Sequence, residues 1–159
     1  MSHDPILTIP SGVWDRLLNE LHTRTCELHE SGAFLLGHMD AGRRRVERVV
    51  YYDDLDPLAY SSGLVVMHAA SYGPLWDMCK KSGLSVVADI HVHPRLAFQS
   101  LADQCNPMVA LPGHIALIVP FFARPPVILE NLGFFEYCGS HRWRTLGGPM
   151  IGNHLSIET

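Results

Sequence analysis

The chain has 159 residues, 47% of them hydrophobic and 18% charged, with a formal net charge of −4. That length fits one domain with room for a sizeable core, and the balance excludes a disordered chain. Mild acidity excludes the electrostatic footprint of a general nucleic-acid binder, and without a run of 18 apolar residues no membrane-spanning helix is expected.

The opening Met1-Ser2-His3-Asp4-Pro5 has no charged stretch followed by an apolar one, so no signal peptide is expected. Residues 6–9 predict a short strand. Pro10-Ser11 follows, with Ser11 as the cap of an amphipathic helix over 12–28, whose Val13, Leu17, Leu18, Leu21 and Cys26 recur at helical spacing. Residues 33–37 predict a strand buried on both faces, and 45–52 its hairpin partner. Between them, Asp40-Ala41-Gly42 beside Arg43, Arg44, Arg45 and Arg48 reads as a solvated hairpin tip. Residues 53–62 predict a loop and 64–67 a further strand. A second helix is expected over 69–81 with Leu75, Met78 and Cys79 inward, ended by Lys80-Lys81-Ser82-Gly83. Residues 84–93 predict a strand, 94–99 a loop, and Ser100 opens a helix to about Leu111. Strands follow over 114–122 and 127–137, split by Arg124-Pro125-Pro126. The expected fold class is α+β: one domain over 1–147, a mixed sheet flanked by helices, with 148–159 as a flexible tail. The cysteines, Cys26, Cys79, Cys105 and Cys138, form no C-x-x-C pair and suit buried thiols in a reducing cytoplasm.

The chemistry concentrates in His91-Val92-His93-Pro94 and Ser100-Leu101-Ala102-Asp103. On a strand, residues i and i+2 share a face, so His91 and His93 can grip one ion, while Val92 points the other way. Asp103, three residues into a new helix, can fold its carboxylate onto the same ion. Two histidines and one aspartate leave the fourth position of a tetrahedral zinc open to water, the pattern of a catalytic site. Such a site needs a general base, and Glu30, ahead of an apolar strand, is the candidate. Taken singly, Ser-x-x-Asp is also an N-cap with an acidic first turn, and both roles can hold for Ser100 and Asp103. The other histidines lack partner spacing and are read as surface or satisfied core residues; for His29 and His114 that reading is weakest.

In combination, Glu30-Ser31-Gly32-Ala33-Phe34-Leu35-Leu36-Gly37, then His91-Val92-His93-Pro94, then Ser100-Leu101-Ala102-Asp103 resembles the JAB/MPN metallopeptidases that carry the JAMM motif. In them a glutamate opens an apolar strand ending in glycine, followed by His-Ser/Thr-His-Pro and Ser-x-x-Asp. The run His114 to Pro120 looks like the family's next strand. Val92 departs from the usual Ser or Thr, and the Pro94–Ser100 loop is one residue short of the usual length.

The resemblance implies a JAB/MPN (cytidine-deaminase-like) fold and one Zn2+ per chain, held by His91, His93 and Asp103. Glu30 would be the general base, and Ser100 would help to stabilise the oxyanion. The implied reaction is hydrolysis of the amide after the C-terminus of a ubiquitin-like protein, in conjugates or precursors. Compact members of the family accompany ubiquitin-like, E1-like and E2-like proteins in bacterial operons, some of them antiphage. The alternatives are a non-catalytic MPN scaffold, against which the intact motif argues, and another His-x-His metalloenzyme. An amidohydrolase needs a longer chain, and a cupin needs many more short strands.

Overall fold

A computed structural model describes residues 4–159, leaving Met1, Ser2 and His3 outside the described residues. It is an α+β fold built on one mixed sheet flanked by helices, as expected. The strands are β1 (Leu7–Pro10), β2 (Ser31–Asp40), β3 (Arg43–Tyr51), β4 (Ser85–Val92), β5 (Ile115–Val119), β6 (Gly133–Gly139), β7 (Arg142–Thr145) and β8 (Leu155–Glu158). Their order across the sheet is β7-β6-β5-β4-β2-β3-β1-β8. β2 pairs antiparallel with β3 and β4, β4 runs parallel to β5, and β1 runs parallel to β3 and β8.

The alternation of side chains along β2 divides the interior in two. Ala33 and Leu35 enter one core with Trp14, Leu17 and Leu21 of α1 (Ser11–Thr25), while Phe34 and Leu36 enter another with Leu75 of α3 (Tyr72–Ser82). A strand covered on both faces must be apolar throughout, which is why residues 33–36 form an unbroken hydrophobic run. The hairpin tip at Asp40-Ala41-Gly42-Arg43 matches the expectation, with Ala41 and Gly42 both at positive φ, 48° and 79°. Gly83 ends α3 at φ 71°, as its glycine predicted.

Several boundaries differ. Ser11 is the first residue of α1 and makes no cap bond; Pro10 precedes it. α1 stops at Thr25 because Cys26 turns left-handed, φ 50°. A short helix, α2 (Tyr52–Leu55), starts the expected loop, and residues 64–67 form no strand: Leu64 is a bend and the Val66 N–H donates to the Ala59 carbonyl within the loop. The helix opened by Ser100 is only α4 (Leu101–Cys105), and the sixth strand begins at Gly133 rather than at 127. The residues after Gly147 are not a loose tail. Ile151 and Leu155 are buried in the α1 core, and β8 completes the sheet against β1, with Leu7 opposite Leu155. Two apolar anchors and a free strand edge outweigh the polar, glycine-containing composition of that segment. The cysteines are also not buried: Cys26, Cys105 and Cys138 are exposed and Cys79 is half-buried, all as free thiols. No helix of the described residues is long and apolar enough to cross a membrane.

Candidate metal centre

The centre forms where β4 ends. Val92 is fully buried in the α1 core, which turns His91 and His93 to the opposite face, as the strand period requires. His93 lies one residue beyond the strand. Its N–H donates to the Val119 carbonyl at 2.9 Å, and its carbonyl accepts the Phe122 N–H at 2.9 Å. Phe121, Phe122 and Ala123 adopt φ values of 56°, 55° and 54° to make that contact, three successive left-handed residues at about 1–2 kcal/mol each. Strain is thus concentrated in the turn that fixes His93.

The Nε2 atoms of His91 and His93 are 2.8 Å apart. Asp103 Oδ1 is 3.3 Å from His91 Nε2, and Asp103 Oδ2 is 3.2 Å from His93 Nε2. Glu30 Oε1 stands 3.6 Å from His93 Nε2. Four donors roughly 2.0–2.1 Å from a tetrahedral zinc would be about 3.3 Å apart. The donors of His91, His93 and Asp103, 2.8–3.3 Å apart, come near that spacing and fit such an ion, with Glu30 next to them. Glu30, His91 and His93 are all buried, and one donor atom from each falls within 4.8 Å of the others, a cluster able to hold a metal ion.

His93, Glu30 and Asp103 are each oriented from behind. His93 Nδ1 faces the Leu96 carbonyl at 3.3 Å. Glu30 Oε2 accepts the Val65 N–H at 3.1 Å, and the Glu30 N–H donates to the Gly63 carbonyl. Ser100 and Asp103 form a reciprocal capping box: the Asp103 N–H donates to Ser100 Oγ, and the Ser100 N–H donates to Asp103 Oδ2. The cap and the approach to the histidines coexist, so the five residues singled out in sequence meet in one place. Burial alone would lower the His91 pKa, but its hydrogen bond to Asp103 and the charges of Asp103, Glu30 and Asp89 raise it. Burial alone would raise the Asp103 carboxyl, but the hydrogen bonds from His91, His93 and the Ser100 N–H hold it well below the usual range.

A cavity of about 620 Å3 opens beside the centre, its wall including Glu30, His91, Ser100 and Asp103. Sequence reading missed the rest of its lining. Asp89 stands two residues before His91 on the same strand, and that spacing was the available signal. Tyr72, Val65 and Trp143 come from α3, a loop and β7, and no local pattern announces them.

No family model matches the chain. A stretch of 79 residues is 27% identical to the probable metalloprotease y4jG of Sinorhizobium fredii, covering 50% of this chain and 49% of that protein. The chain is related to a probable metalloprotease. It spans about half the length of that curated relative. In three dimensions it is similar to a Desulfitobacterium hafniense protein solved in solution, with a TM-score of 0.68 and 19% identity over 96% of this chain and 94% of that one. A Salinibacter ruber protein gives a TM-score of 0.58 and 21% identity over 87% of each chain. These two structures share the fold.

Proposed function

We propose that this protein is a JAMM-type zinc metallopeptidase of the JAB/MPN kind, cleaving the amide that follows the C-terminus of a ubiquitin-like protein. The convergence of Glu30, His91, His93 and Asp103 on one point beside an open cavity carries this reading. The relationship to a probable metalloprotease supports the peptidase part. The ubiquitin-like substrate rests on the motif resemblance alone, as do E1-like and E2-like operon partners and an antiphage setting; a cytoplasmic location rests on the unpaired cysteines.

In this mechanism His91, His93 and Asp103 hold the ion, which when bound supplies Lewis acidity and a water acidified toward neutrality. Glu30 accepts the proton of the attacking water through Oε1, the oxygen that faces His93. Its other oxygen stays on the Val65 N–H, so the carboxylate keeps one orientation while the proton moves to the leaving amine. Ser100 Oγ accepts from the Asp103 N–H, which leaves its own hydroxyl hydrogen free to donate to the developing oxyanion.

The test is a fusion of a ubiquitin-like protein to a reporter. Cleavage at the junction, abolished by a chelator and restored by Zn2+, is the expected result. A protein that binds no Zn2+ and cleaves nothing would overturn the reading.

A further inference from the structure

The cavity continues past the metal centre to a charged group that the mechanism does not use. Asp89 is 2% exposed and His114 6% exposed, and His114 Nε2 donates to Asp89 Oδ2 at 2.6 Å. The fully buried Tyr52 hydroxyl lies against the same Asp89 carboxylate. A carboxylate has about four acceptor sites, so His114 and the neighbouring Tyr52 hydroxyl leave about half of them for a further donor. Asp89 forms part of the cavity wall, as do Tyr72, Ala116, Ile118, Tyr137 and Trp143. Beyond Glu30, His91, Ser100 and Asp103 at the metal centre, the wall combines apolar and aromatic side chains and the neutral polar Gln99 and Asn106 with the Asp89 carboxylate, and it includes no lysine or arginine.

The register gives the scale. Asp89 and His91 share a face of β4 two residues apart, which separates them by about 6.5 Å along the strand. Ala116 lies opposite Asp89, and Ile118 opposite His91, on β5. These two small-to-medium side chains make a floor running from the metal centre to Asp89. A side chain with a long apolar stem and a donating, cationic head matches this distance and this carboxylate.

We propose that Asp89, held by His114, is the specificity residue of a subsite for a lysine or arginine adjacent to the scissile bond. The proposal rests on the peptidase reading above. The basic head donates to the Asp89 carboxylate, and the stem lies along Ala116 and Ile118 with Tyr72 and Trp143 as walls. A charge-assisted hydrogen bond to a carboxylate as buried as Asp89 is worth roughly ten- to hundredfold in selectivity.

Two measurements keep this distinguishable from the peptidase reading. In the first, Zn2+-loaded protein is given peptides with Lys, Arg, norleucine or Glu on each side of the cleaved bond. At one position Lys and Arg should exceed norleucine by roughly tenfold or more in kcat/KM, and Asp89→Asn should erase that preference, read as the Lys-to-norleucine ratio within the variant at matched Zn2+ content. Norleucine cleaved as well as lysine at both positions, or a preference that survives Asp89→Asn, would overturn the proposal. The second needs no turnover: binding of Nα-acetyl-arginine amide and Nα-acetyl-norleucine amide, read by NMR shifts of the Ala116 and Ile118 resonances. Arginine-selective shifts that vanish in Asp89→Asn support the subsite even if no peptide is cleaved. Equal or absent shifts for both amides overturn it.

Discussion

The backbone N–H of Val65 donates to Glu30 Oε2 at 3.1 Å, joining a loop to a carboxylate 35 residues earlier in the chain. This bond leaves Oε1 as the oxygen directed toward His93. The loop is in turn anchored by Asp56, whose carboxylate accepts the N–H groups of Leu58 and His68 and pairs with His68 Nδ1 at 2.6 Å. Orientation of the proposed base therefore depends on a turn remote from the metal.

That anchor has a pH signature. The hydrogen bonds from the His68 and Leu58 N–H groups and the His68 ring, opposed by burial, bring Asp56 down to about 2. An unfolded aspartate titrates near about 3.9, so the folded state binds this proton more weakly. Its stabilisation is fully present above about pH 4 and is lost as pH falls toward about 2. Urea midpoints of the native protein and Asp56→Asn should differ most at pH 5, draw together as pH falls from about 4, and converge only below about pH 2. A gap independent of pH would show that Asp56 does not anchor the loop as a carboxylate.

Val92→Thr probes the direction of β4. Val92 is fully buried in the α1 core, behind the histidines. A threonine hydroxyl there, if unpaired, costs about 1–3 kcal/mol. Stability should fall while Zn2+ content of the folded protein stays at that of the native chain; loss of metal without unfolding would mean that position 92 faces the centre.

Gly32 stands opposite His91 on β2, where a Cβ would come within 2.3 Å of Tyr52 Cε2 and 2.8 Å of the Ile90 carbonyl oxygen. Tyr52 is fully buried, so neither neighbour can yield cheaply. Gly32→Ala should destabilise by about 1–3 kcal/mol, read from chemical denaturation. An unchanged midpoint would argue that Tyr52 moves freely, which its burial beside Phe34 contradicts.

Ala41 offers the opposite case. It is exposed at φ 48° in the β2–β3 turn, a conformation that asparagine tolerates better than alanine. Ala41→Asn should raise stability by about 1 kcal/mol with Zn2+ binding and cleavage unchanged. A loss of stability would show that the turn relaxes away from the left-handed region.

The main elements were legible because their patterns are local. The period-2 alternation of β4 predicts the shared face of His91 and His93, and the apolar run at 33–36 predicts a doubly covered strand. β7 and β8 were not legible: β7 is a four-residue strand rich in polar residues that folds straight back on β6, and β8 gains its order from β1 at the other end of the chain. For the same reason Glu30 could be named from its place before a strand, but its hydrogen bond to Val65 could not. His114 looked unpartnered in sequence because its partner, Asp89, is 25 residues away and meets it only once β4 and β5 run parallel.

The division of labour between Glu30 and Asp103 bears most directly on the whole account, because both carboxylates lie within reach of the same imidazoles. The decisive measurement is metal content beside cleavage rate for Glu30→Gln and Asp103→Ala. Glutamine preserves shape but cannot take up the proton, so Glu30→Gln should keep its Zn2+ and lose about 10²–10⁴-fold in rate. Asp103→Ala should lose the metal itself, since two imidazoles alone hold it poorly. Loss of Zn2+ from Glu30→Gln as readily as from Asp103→Ala would make Glu30 a ligand and contradict its role as base; retention of metal and activity in both variants would contradict the metallopeptidase itself.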